Sequence, residues 1–259
     1  MDNLIRECIY WLQNHTSAEV LTVILFLISA AVILGLLRFY GAFGLYVYNA
    51  LALTIGNIQV LRFAHYESFK EPVALGTVLI TSIFFVNDIL SEHYGPQTAK
   101  KCVTLGFWVQ LLVIVWMVLA LGHPLIPLEN STEAVKEAHL NYEAMMQLFT
   151  PSLRILFASL VAYFVSQWLD IIVFNRLRQA THNRFLWLRQ NTAMFIAGFL
   201  DIVLFSILAW VILSDKPLSA SELWVTYILS AQVTRIILNI ASTPLMYLSY
   251  ACVQSKPKI

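Results

Sequence analysis

The sequence predicts an all-α integral membrane protein, a compact bundle of six core transmembrane helices with one extra transmembrane helix at the N-terminus, seven in total. Composition comes first: of 259 residues, 59% are hydrophobic and 12% charged, with a mean hydropathy of +0.73, which suits lipid rather than water as solvent. Second, the charges gather in short clusters between long apolar runs. Third, no stretch alternates polar and apolar residues, which excludes a β-barrel. A net charge of +1 offers no basic surface for nucleic acid. Cys8, Cys102 and Cys252 lie far apart and match neither a zinc-ligand spacing nor a disulfide framework, so they read as packing residues.

Taken in order, the chain opens with Leu4, Ile5, Cys8, Ile9 and Leu12 on one face of an amphipathic helix, with Asp2, Arg6 and Glu7 opposite. Thr16 to Glu19 reads as a capping box opening the first span. The segment is not basic and closes on no small-residue cleavage site, so a cleaved signal peptide is not expected. Crossing the hydrocarbon takes about 20 apolar residues at roughly 1.5 Å each. Seven runs meet that test: 20–37, 41–61, 72–90, 102–122, 151–174, 191–213 and 223–250. Residues 1–40 form an N-terminal amphipathic segment and extra span, and residues 41–259 the six-helix core. Pro72, Pro151 and Pro217 sit near span boundaries, where a missing N–H does little harm.

Orientation follows the excess of lysine and arginine on the cytosolic side. With the N-terminus outside, the inner loops hold Arg38, Lys100, Lys101, Arg176, Arg178, Arg184, Arg189, Lys256 and Lys258. The outer ones hold Arg6, Arg62, Lys70, Lys136 and Lys216. The connection after Gly122 carries Glu129, Glu133, Glu137 and Glu143, which also fits an outer face. The expectation is a multi-pass protein of the inner (plasma) membrane with a cytosolic C-terminus.

Ionisable groups within spans are expensive and therefore informative. Asp201 lies mid-span, Arg235 well inside the last span, and Asp88 and Asp170 near an edge. Tyr163, Ser166, Gln167 and Asp170 recur at i, i+3, i+4 and i+7, placing a hydroxyl, an amide and a carboxylate on one helical stripe. Gln232, Arg235 and Asn239 do the same on the seventh span, while Asn49 and Asn57 belong to the second and Asn87 to the third. Such groups can serve simply as hydrogen-bonding glue between helices, and Asp201 and Arg235 can neutralise one another. Carboxylates and amides on at least four helices point further, to a cavity for a solute rich in hydrogen-bond donors.

Several motifs carry a resemblance. The run Phe84-Phe85-Val86-Asn87-Asp88-Ile89-Leu90-Ser91-Glu92-His93-Tyr94-Gly95 is similar to an aspartate-bearing helix of the queuosine precursor transporters, also called the vitamin uptake transporter family. Gln167-Trp168-Leu169-Asp170 with Phe174-Asn175-Arg176-Leu177-Arg178 resembles the family's Q-x-L-D and F-N-x-L-[KR] pattern. Arg189, Asn191 and Ala193, followed by Asp201 and Phe205, resemble two further elements, although Gln190 departs from the asparagine many members carry. The family usually has six spans, so the first span here looks like an addition.

The resemblance implies import of a 7-deazaguanine such as 7-cyano- or 7-aminomethyl-7-deazaguanine. For such a solute, residue type and helical spacing point to Asp201 or Asp170 for the donor-rich edge of the guanine ring, to Gln167, Asn57 and Asn191 as orienting amides, and to Arg235 as balance for a carboxylate in the empty site. Tyr163, Trp168 and Phe205 are candidate walls for the flat ring; Asn87, Asp88 and Arg189 complete the candidate set. No cofactor is expected, and no P-loop for ATP occurs in the chain. The partners expected are a small deazapurine and the lipid bilayer, without nucleic acid; small-residue faces such as Ala193, Ala197 and Gly198 suit helix contacts or a homo-oligomer seam. The alternatives are a substrate-binding subunit of an ATP-driven vitamin importer, or uptake of free queuine base. An enzyme is not expected, because the histidines lie in or beside loops with no HExxH or GxSxG.

Overall fold

The structure, a computed structural model, describes residues 2–67, 73–127, 132–214 and 217–254. Pro72, Lys70, Glu129, Lys216, Lys256 and Lys258, used above for a span boundary or for the charge balance, lie outside the described residues.

Helix α1 (Asp2–His15) leaves Leu4, Ile5, Ile9, Tyr10 and Trp11 exposed, clear of the bundle core. Helix α2 (Ala18–Tyr40) is capped one residue later than the capping-box reading: the Ser17 hydroxyl accepts from the Val20 N–H at 3.4 Å. It buries Ser29, Ala30, Ile33 and Leu37 and turns Val23, Ile24, Leu27 and Ile28 outward. Gly41, at φ 63°, reverses the chain into α3 (Ala42–Gln59).

A small antiparallel hairpin follows, β1 (Phe63–Ala64) paired with β2 (Val73–Ala74), which the sequence did not announce because two-residue strands leave no alternation to read. Gly76 then takes φ 78°, and a Cβ there would come 2.5 Å from the Gly56 carbonyl oxygen, so only glycine fits where α3 and the start of α4 meet. Helix α4 (Thr77–His93) is buried continuously from Thr81 to Ser91 and packs against α2, α3, α5 (Pro96–Leu121), α6 (Glu133–Ala180), α7 (Leu186–Ile207) and α9 (Ser230–Gln254). It is the central post of the bundle.

Helix α6 departs most from expectation. Instead of 151–174 it runs for 48 residues, or about 72 Å at the usual rise, passing through Pro151 and taking in most of the acidic connection. Helix α7 continues into a π-helical turn, Leu208–Ile212. The three-residue α8 (Ala220–Glu222) leads through a second π-helical stretch, Leu223–Leu229, into α9.

By length and apolar composition five helical stretches among the described residues suit a membrane crossing: Ala18–Tyr40, Pro96–Leu121, Glu133–Ala180, Leu186–Ile212 and Tyr227–Val253. Helices α3 and α4, of 18 and 17 residues, are shorter and carry the buried Asn49, Asn57, Asn87 and Asp88. The polarity of the fold is that of a membrane protein. Asn49, Asn87, Asp88, Gln110, Ser166, Asp170 and Gln190 are fully buried, while Trp108, Trp116, Leu119, Trp187, Phe195 and Ile240 face outward, the reverse of what water selects.

Candidate functional site

Beside the apolar core, in which Ile83, Phe85, Val86, Ile89 and Leu90 of α4 pack, the bundle encloses a cavity at the N-terminal end of α4. The cavity, about 80 Å³, lies between the middle of α6, the C-terminal ends of α3 and α7 and the N-terminal ends of α4 and α9, next to the β1–β2 hairpin. Asn57 from α3, Tyr163 and Gln167 from α6, Asp201 from α7 and Arg235 from α9 line it. Half of the sequence-predicted set thus shares one hollow.

The spacing on α6 explains why. Tyr163, Ser166, Gln167 and Asp170 fall on one face, and all four are buried. Ser166 donates to Asp201 Oδ1 at 2.9 Å, which ties that face to α7. Asp201 Oδ2 lies 2.8 Å from Arg235, whose guanidinium also donates to the Gly198 carbonyl at 3.2 Å and stands over the Phe84 ring. Asp201 and Arg235 therefore do neutralise one another, and they do so on the cavity wall. The Tyr163 hydroxyl accepts from Asn49 at 2.9 Å, an approach permitted by Gly106, where a Cβ would sit 2.5 Å from that hydroxyl.

Some donors around the cavity remain unused. The Asn57 side-chain amide nitrogen, the Trp210 indole nitrogen and Arg235 Nε are buried without a hydrogen-bond partner. An unpaired buried donor is unfavourable by about 1–3 kcal/mol, so a bound polar solute has binding energy to gain from these groups. Trp210 and Tyr227 stand 5.1 Å apart by ring centroids, and Phe63 meets Tyr227 edge-on at 5.9 Å, forming an aromatic cluster on the lining. The sequence reading did not include Trp210, Tyr227 or Phe63. Both Trp210 and Tyr227 lie in π-helical stretches, where the 3.6-residue period used to assign faces fails.

The remaining predicted residues lie elsewhere. Asn87 donates to Gln167 Oε1 at 2.6 Å and so backs the cavity from behind. Asp88 and Asp170 are fully buried beyond that bond, in a second polar cluster where Arg189 lies 2.5 Å from Glu92 and Arg178 3.9 Å from the same carboxylate. Asn191 donates to the Trp187 carbonyl at 2.7 Å and to Thr243 at 3.0 Å, on a separate groove between α7 and α9. Trp168, expected as a wall, is turned away: it packs on Phe164, and Lys100 lies 4.9 Å over its ring. Adjacent residues point about 100° apart on a helix, so with Gln167 on the cavity Trp168 faces α5.

A sequence profile of the family described as "Putative vitamin uptake transporter" matches residues 74–249, which hold α4 through nearly all of α9 and most of the cavity lining. The chain belongs to that family. It is accordingly a membrane transporter and not an enzyme. The transporter is similar to a "Probable queuosine precursor transporter" of Bacillus subtilis (strain 168), 28% identical over 223 residues, covering 85% of this chain and 90% of the relative. A protein of the same description from Haemophilus influenzae is 26% identical over 135 residues, covering 52% of this chain and 51% of the relative. No solved structure matches the transporter.

Proposed function

We propose that this transporter imports a queuosine precursor, a 7-deazaguanine, across the inner membrane into the cytosol, binding it in the cavity beside Asp201. The observation that carries the reading is the lining itself. Among the described residues Asp201 is its one carboxylate and Arg235 its one cation, and they are paired. A wall of that kind is neutral overall yet rich in directed polarity, which suits an uncharged heterocycle better than an ion.

The guanine edge offers N1–H and the exocyclic amine side by side, a match for two carboxylate oxygens. Its O6 and N3 accept, and Asn57 Nδ2 and Trp210 Nε1 are donors without partners. Phe205, Trp210 and Tyr227 supply aromatic surface for the flat bicycle. Tyr163 and Gln167 complete the contact set, with Asn87 holding Gln167 in place. A 7-cyano group leaves the ring neutral, whereas a 7-aminomethyl cation calls for a second carboxylate, so the nitrile is the better fit.

The names of the two relatives support a queuosine precursor as the solute, and the basic residues flanking the α4–α5 and α6–α7 connections, Lys100, Lys101, Arg176, Arg178, Arg184 and Arg189, support a cytosolic place for those connections. Seven crossings, with the hairpin and cavity mouth outside and those basic connections in the cytosol, complete the proposed topology. The 41–259 core then holds the solute path, with the first 40 residues as an addition at its side. The deciding experiment is uptake of labelled 7-cyano-7-deazaguanine by liposomes containing only this chain and no ATP. Accumulation above protein-free liposomes is expected; uptake that needs an added ATPase partner assigns the chain instead to the binding subunit of an ATP-driven importer.

A further inference from the structure

Behind the Asn87–Gln167 hydrogen bond, Asp88 and Asp170 are both fully buried, and none of their four carboxylate oxygens meets a hydrogen-bond donor. We propose that this pair is a proton-binding site whose proton couples to movement of the solute in the cavity. The import reading above supplies what is moved; the site itself stands without it.

Charge and contact lead to the same place. Three carboxylates, Asp88, Glu92 and Asp170, share this end of the bundle with two guanidinium groups, Arg178 and Arg189, and the charges of Asp170, Glu92 and Arg189 all act on Asp88. Glu92 is provided for: it has Arg189 at 2.5 Å, Arg178 at 3.9 Å and the Tyr250 hydroxyl from α9 donating to it. The other groups facing this region are also engaged, His93 with Ser249 at 2.7 Å and Lys100 of α5 over the Trp168 ring. Two unpaired buried carboxylates cannot both remain ionised, since each bare charge is unfavourable by several kcal/mol. One proton brings the three carboxylates and two guanidinium groups to neutrality. It binds an oxygen of one aspartate, and the other stays ionised. The nearby Ser91 hydroxyl, also buried and unpartnered, is a further polar group on the same stretch of α4.

The link to the cavity is short. Gln167 lines the cavity while its Oε1 accepts from Asn87, and Asp170 and Asp88 follow Gln167 and Asn87 by three residues and one residue respectively. A solute drawing on Gln167 therefore shifts the amide pair that shields the carboxylates. Release of the proton towards the basic end, after solute binding, moves one proton inward per solute.

Infrared spectroscopy of the transporter in lipid tests the site directly. A carboxylic acid C=O stretch, shifted in D2O, is expected at neutral pH in the wild type, altered in Asp88→Asn and Asp170→Asn, and missing from the double variant. A band unchanged in the double variant overturns the proposal. In liposomes, an inside-alkaline gradient is expected to raise 7-cyano-7-deazaguanine uptake severalfold, with the rise abolished by a protonophore and by Asp170→Asn. Uptake that ignores the gradient, or follows sodium instead, also overturns it. A wild type that binds no deazaguanine sinks the import reading, and the infrared band still decides the proton site.

Discussion

On the cavity wall, Asp201 has two neighbours with different duties: Ser166 fixes one oxygen and Arg235 balances the other. Asp201→Asn leaves the largely buried Arg235 unbalanced, so it is expected to destabilise the protein by about 2–4 kcal/mol and to lose ligand binding. In Asp201→Asn combined with Arg235→Gln, the stability is expected to return in large part, because no bare charge remains, while binding does not return. Thermal melting and ligand titration of the three proteins check this; restored binding in the double variant would remove Asp201 from the recognition site. At this scale the sequence was informative wherever helical spacing applied. The α6 stripe and the Asp201–Arg235 pair were both legible from it. Depth along the helices was not, which is why Asp88, Asp170 and Arg189 came out in one set with Asp201 although the Asn87–Gln167 bond separates them from the cavity.

Among the elements, the close approaches are set by glycines that differ sharply in what surrounds them. At Gly106 of α5 a Cβ would meet Tyr163 Oη at 2.5 Å and Asn49 Nδ2 at 2.6 Å, whereas at Gly35 of α2 nothing lies within 4 Å. Gly106→Ala is therefore expected to part α5 from α6 and destabilise by about 1–3 kcal/mol, as overpacking does. Gly35→Ala is expected to be neutral or to stabilise by up to about 1 kcal/mol through helix propensity. Denaturation of the two variants side by side measures the contrast, and equal effects would contradict the packing described. The elements that sequence reading missed share a physical cause. The hairpin is too short for alternation, the π-helical stretches break the period, and the α6 extension was hidden because Glu133, Lys136 and Glu137 were read as loop charges. They have helical spacing, and Lys136 pairs with Glu133 at 2.8 Å.

For the whole molecule, the apolar exterior and the polar groups buried within follow from a single solvent argument, and the fold class was legible from composition together with the long apolar runs between clustered charges. Orientation rests on a different argument, the distribution of lysine and arginine. It makes Cys8, exposed on α1, reachable from outside, and buried Cys102 not. A membrane-impermeant maleimide is expected to label intact cells at Cys8, and labelling only after permeabilisation would reverse the proposed topology. The central claim, that the cavity beside Asp201 holds a neutral deazaguanine, is tested most directly by ligand-induced thermal stabilisation of the purified transporter. At a hundredfold excess over Kd a specific ligand contributes about 2.7 kcal/mol, enough to raise Tm by several degrees. The expected order is 7-cyano-7-deazaguanine ahead of its 7-aminomethyl relative, guanine and unrelated vitamins, with the shift lost in Asp201→Asn. No stabilisation by any deazaguanine, or the same shift in Asp201→Asn as in the wild type, would contradict the account.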